Sequence, residues 1–139
     1  MKKGILAAVL LSAGLISYGQ CEKRVLLTAS KTEHLGADSS VQRTDDETTV
    51  IEFDKSNISI TPSGHTMTGT IKSYTCDWPT PFKVGKTRMK VTLANEAGET
   101  KDATITIEGK NGKINFLAEL DEDPDKKIRL QIEKFEEKH

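Results

Sequence analysis

Residues 86–120 read KTRMKVTLANEAGETKDATITIEGKNGKINFLAEL. Thr87, Met89, Val91 and Leu93 alternate with Lys86, Arg88, Lys90 and Thr92, so a strand here has one apolar and one wet face. Glu96-Ala-Gly98 marks a hairpin, and Ala103, Ile105 and Ile107 resume the alternation against Asp102, Thr104, Thr106 and Glu108. Asn111-Gly112 is a strong hairpin signal, because both residues accept the left-handed dihedrals of a type I′ turn. Ile114, Phe116, Ala118 and Leu120 continue the inner face. Three consecutive antiparallel strands are predicted from this stretch alone.

The pattern extends in both directions. Upstream it predicts a strand over Arg24–His34, a loop through Gly36–Ser40 and a short strand at Val41–Arg43. Thr49, Ile51 and Phe53 then alternate, Asp54–Asn57 turns the chain into Ile58-Ser-Ile60, and Pro62-Ser-Gly64 turns it into a longer strand at His65–Thr75. Downstream the acidic stretch Asp121–Asp125 is expected to be a loop before a closing strand carrying Ile128, Leu130 and Ile132. No window reads as an amphipathic helix. Eight or nine strands with short connections make an all-β antiparallel up-and-down meander. An open meander exposes two edges, so closure into a barrel of about eight strands is favoured over a β-sandwich.

The N-terminus carries a different signal. Lys2 and Lys3 precede the apolar run Ile5–Ile16, and Ser17-Tyr-Gly19 follows. The run is shorter than the roughly 20 residues of a spanning helix, and no second apolar run follows, so residues 1–19 read as a secretory signal peptide and no membrane span is expected. Cleavage after Gly19 leaves residues 20–139 as a single exported β-barrel domain, periplasmic or secreted, starting at Gln20. The alternative is an outer-membrane lipoprotein acylated at Cys21. The 139 residues hold 20 Lys+Arg and 21 Asp+Glu, a net charge of −1, which gives no basic field for nucleic acid. The leader takes two lysines with it, so the exported part is mildly acidic.

The two cysteines, Cys21 and Cys76, both lie in the exported part, where an oxidising compartment permits a disulfide. Acylation of Cys21 would leave Cys76 a lone thiol. Neither cysteine sits in a paired metal motif, and His34, His65 and His139 are scattered, so no metal site is expected. Asp121, Asp123 and Asp125 have calcium-loop spacing, but Lys126 and Ile132 occupy the places of the obligatory Gly and Glu. With no nucleophile elbow, zinc-binding helix or phosphate loop, neither a cofactor nor enzymatic activity is expected.

The segments LLTASKTEHL (26–35), TTVIEFDKSNISIT (48–61), TMTGTIKS (66–73) and KIRLQIEKFE (127–136), with the leader, resemble the small lipocalin-like secreted proteins of Bacteroidetes-type bacteria. The resemblance implies a calycin-type barrel that binds a small apolar molecule. The lipocalin Gly-x-Trp of the first strand is missing, so no functional residue is carried over. From the inner-face pattern, Met67, Met89, Ile105, Ile107, Phe116 and Leu130 are the candidate ligand lining. Trp78 stands in Cys76-Asp-Trp-Pro-Thr-Pro-Phe82, an expected extended loop with two competing roles. In one, its aromatics cap a barrel end while a Cys21–Cys76 bond ties the N-terminus there. In the other, the loop is a rim contact for a ligand or a protein partner, which opens the alternative of a protein-binding or structural module, such as an enzyme inhibitor, with a filled core.

Overall fold

The computed structural model describes residues 20–138, so the leader expected over 1–19 and His139 lie outside the described residues. The strands run β1 (Val25–Leu35), β2 (Val41–Phe53), β3 (Asn57–Pro62), β4 (Met67–Thr80), β5 (Val84–Ala94), β6 (Thr100–Lys110), β7 (Lys113–Leu120), β8 (Asp123–Ile132) and β9 (Lys134–Glu137). Each strand from β1 to β8 pairs antiparallel with the next, and β8 returns to β1, so an eight-stranded up-and-down barrel closes. Closure satisfies edge donors and acceptors that an open sheet would leave to solvent or to another chain.

β9 continues β8. Thr32 faces Leu130 and Leu35 faces Lys127, while Val25 faces Glu137 and Thr28 faces Lys134, the same register throughout. The break falls at Glu133, whose N–H still donates to Thr28 O at 2.8 Å. β7 begins at Lys113 and its last partner on β8 is Ile132, so beyond that point the strand has β1 alone as neighbour.

The inward face is the apolar one. Val25, Leu27, Ala29, Ile51, Phe53, Ile58, Met89, Val91, Ala103, Ile105, Ile107 and Phe116 form one continuous buried core. The turns use the expected chemistry. Asn111 and Gly112 have φ of 53° and 76°, the paired left-handed dihedrals of a type I′ turn. Asp54 Oδ1 accepts the N–H groups of Ser56 and Asn57, and Asn95 Oδ1 accepts those of Ala97 and Glu99, so each loop is closed by its own first side chain.

Three boundaries differ from the sequence expectation. β2 is continuous from Val41 to Phe53, where a short strand and a gap were expected. Its middle, Thr44-Asp-Asp-Glu-Thr48, shows no apolar alternation, yet pairs along β1 through Glu33–Thr44, Thr32–Asp45 and Lys31–Asp46. β4 runs on to Thr80, so most of the expected loop over Cys76–Phe82 is strand and only residues 81–83 turn. The missing N–H of Pro79 is absorbed by an irregularity between Asp77 and Thr80. β8 begins at Asp123, leaving a two-residue turn in place of the acidic loop, with Pro124 at the strand's start, where a proline is tolerated.

Candidate functional site

The two ends of the barrel are built differently. At the end that carries the N-terminus and the 81–83 turn, Cys21 and Cys76 form a disulfide with Cα atoms 5.9 Å apart. A Cys21 sulfur in this bond is not free for acylation. Gln20, also buried, accepts the Phe82 N–H on its side-chain oxygen at 2.7 Å. Trp78 is 2% exposed. Its indole N–H donates to Thr87 Oγ1 at 2.8 Å, and Thr87 in turn donates to Cys76 Sγ. The ring of Phe135 stands edge-on to both Trp78 and Phe82, at 5.3 and 4.9 Å between centroids.

Gly85 and Gly109 face each other across β5 and β6 beneath the indole. A Cβ at Gly109 would stand 2.8 Å from Trp78 Cζ3 and 2.5 Å from Lys83 O, so the glycine pair makes the room that the tryptophan fills. Of the two roles open to the Cys76–Phe82 segment, Trp78 takes the cap. It is turned into the barrel, and its indole offers nothing to a partner at the surface.

The opposite end is open. A cavity of about 1020 Å³ enters the barrel between the turns after β1, β3, β5 and β7. This is ample for a small organic molecule, for which pockets of roughly 300–1,000 Å³ are usual. One wall is hydrocarbon, from Ile60, Met67, Leu93, Ala103, Phe116, Ala118, Leu120, Ile128 and Leu130. Ile128 faces inward yet is 37% exposed, because its neighbour is the cavity. The other wall, from β1 and β2, is polar: Thr32, His34, Asp45, Glu47 and Thr49.

Part of the charge at and around the site is paired. His34 Nε2 lies 2.9 Å from Asp45 Oδ2, and Arg43 Nε is 3.1 Å from Asp45 Oδ1. Desolvation works against it, but hydrogen bonds from Arg43 and His34 hold the Asp45 carboxyl below its usual range. At the barrel seam Arg129 Nε donates to Glu33 Oε1 at 2.9 Å, which lowers the Glu33 carboxyl. Lys126 pairs with Asp123, and Lys127 reaches Ala37 O and Ser39 Oγ. The cavity is bordered by four cations, Arg43, Lys101, Lys126 and Lys127, and by four carboxylates, Asp45, Glu47, Glu99 and Asp125.

Of the side chains singled out as ligand lining, Met67, Phe116 and Leu130 border this cavity. Met89, Ile105 and Ile107 are fully buried in the filled part of the barrel, and Trp78 is in the plug. Alternation along a strand separates inward from outward but says nothing about height along the barrel axis. The polar wall escaped sequence reading altogether. Its signal was the alternation of Arg43, Asp45, Glu47 and Thr49 where an inner face was due.

Among the described residues no cluster of three or more His, Cys, Asp or Glu side chains is placed to hold a metal ion, and no helix is long and apolar enough to cross a membrane. No family model, curated protein or solved structure matches the chain.

Proposed function

We propose that this chain is an exported binding protein that holds one small, mainly apolar molecule in the cavity at its open end and does no chemistry on it. The observation that carries the reading is the asymmetry of the barrel. One end is plugged by Trp78, Phe82, Phe135 and the disulfide, while the other keeps about 1020 Å³ open against hydrocarbon. Apolar side chains such as Ile128 left facing water inside a concavity are a cost that a bound apolar molecule removes. Export is supported by the leader-like pattern of residues 1–19 and by the disulfide, a bond characteristic of oxidising compartments.

The test is binding of a neutral, environment-sensitive naphthylamine probe to the oxidised protein. Wild type is expected to bind it with enhanced fluorescence. Ala118→Trp fills the cavity from its apolar wall without disturbing the plug, and should weaken probe binding at least about tenfold, about 1.4 kcal/mol. Its far-ultraviolet circular dichroism and thermal midpoint should stay close to wild type. A wild type that ignores the probe, or an Ala118→Trp variant that binds it equally well, would contradict the reading.

A further inference from the structure

The polar and apolar side chains of the cavity are separated side to side, not by depth. Along one row of paired strands, Arg43 on β2 and His34 on β1 stand level with Ile128 on β8 and Ala118 on β7. The next row toward the plug repeats the division, with Asp45 and Thr32 level with Leu130 and Phe116. All of these side chains border the cavity. Down β2 the inward positions are Arg43, Asp45, Glu47 and Thr49, about 20 Å of strand at roughly 3.3 Å per residue. The run ends at Ile51, which is fully buried in the filled part of the barrel. The polar wall thus reaches from the mouth to the cavity floor, and hydrocarbon accompanies it all the way.

That layout selects among ligand shapes. A linear amphiphile gathers its polar group at one end, so its chain runs beside carboxylates that lose water and gain no partner. A flat, rigid molecule with one hydrocarbon face and one polar face meets both walls at once. The wall also specifies the chemistry of the polar face. The Asp45 and Glu47 carboxylates only accept hydrogen bonds and the Arg43 guanidinium only donates them, so a hydroxyl, which does both, suits every neighbour, whereas an ammonium suits only the acids. Asp45 is already engaged, with His34 Nε2 at 2.9 Å and Arg43 Nε at 3.1 Å. Glu47, half-buried and one inward position deeper, makes no ion pair or side-chain hydrogen bond among the described residues, and is the acceptor left for a ligand.

Resting on the reading of the cavity as a ligand site, we infer that its ligand is a rigid facial amphiphile, a fused-ring molecule of the hydroxylated steroid type. Its hydrocarbon face lies on Phe116, Ala118 and Leu130, and the ring hydroxyls gathered on its other face donate to Glu47 and Asp45.

Two neutral androstanediols test this, alike in composition and differing only in the configuration of one ring hydroxyl. The first carries both hydroxyls on one face and the second carries one on each. Each is titrated against the bound naphthylamine probe. The one-faced diol should displace the probe about tenfold better than its epimer, the step expected of one hydrogen bond to a charged acceptor. In Glu47→Leu the acceptor becomes hydrocarbon of similar size, so the preference should shrink to about twofold or less while probe affinity and thermal midpoint are kept. Should that variant prove unstable, the wild-type comparison of the epimers decides by itself. Epimers that bind alike, a preference for the two-faced diol, diols that leave bound probe in place, or a preference that survives in Glu47→Leu overturns the inference and leaves the cavity a binding site. Wild type that binds neither probe nor diol overturns both.

Discussion

Replacing both cysteines, Cys21→Ser with Cys76→Ser, is expected to lower the thermal midpoint by on the order of 15 °C, the counterpart of about 4 kcal/mol in a domain of this size. The bond joins residues 55 apart, and in the chain-entropy account its contribution comes from the conformations that the linked unfolded chain can no longer reach. In the folded state it anchors the N-terminal segment over the plugged end. There Tyr74 OH donates to Cys21 O at 3.4 Å, and burial, with Glu22 and Asp54 nearby, pushes the Tyr74 hydroxyl up to about 12. The double serine variant avoids a free thiol, and reduced wild type serves as an independent second measurement. Because the cavity is at the other end, whatever fraction remains folded should bind the probe as wild type does. A midpoint within a few degrees of wild type would show that the plug holds without its covalent tie.

Trp78→Ala is expected to cost about 3–5 kcal/mol in urea unfolding followed by circular dichroism, since the variant also loses the chain's single tryptophan as a reporter. The indole fills the space left by Gly85 and Gly109, and neither glycine has a side chain to take up the volume it would vacate. The substitution also takes from Thr87 Oγ1 the N–H it accepts. Trp78→Phe keeps most of the ring and loses the N–H, so it should cost distinctly less, about 1–3 kcal/mol. The effects of Trp78 and the cysteines should not add, because Cys76 and Trp78 meet at the same Thr87 hydroxyl. A Trp78→Ala cost below about 1 kcal/mol would contradict the plug and return the Cys76–Phe82 segment to consideration as a surface contact.

What the sequence made legible follows from where water lies. β5, β6 and β7 have a buried face and a wet face along much of their length, so Met89, Val91, Ile105, Ile107 and Phe116 alternate visibly and the meander can be read directly. Asn111-Gly112 announces its turn because few other pairs tolerate two left-handed residues in succession. β2 was illegible for the opposite reason. Its first half has solvent on one side and the open cavity on the other, so Arg43, Asp45 and Glu47 occupy inward positions that a filled barrel would give to apolar residues. The end of β4 was hidden by Pro79 and Pro81, which read as loop although the strand bulges to accommodate the first of them.

These pieces make one design. Strand alternation supplies the wall, the glycine pair and Trp78 close one end, and a run of polar inward residues with small Ala103 and Ala118 opens the other. Two methionines of the described residues report on the two halves separately. Met67 borders the cavity, whereas Met89 is fully buried in the filled part. The most direct measurement is therefore a methyl-methionine and indole N–H nuclear magnetic resonance titration of the oxidised protein with a medium-chain alkanol. The Met67 methyl signal is expected to shift to saturation while Met89 and the Trp78 indole stay in place. Saturating alkanol that leaves Met67 unmoved, or that moves Met89 and Trp78 instead, would contradict a binding cavity at the open end.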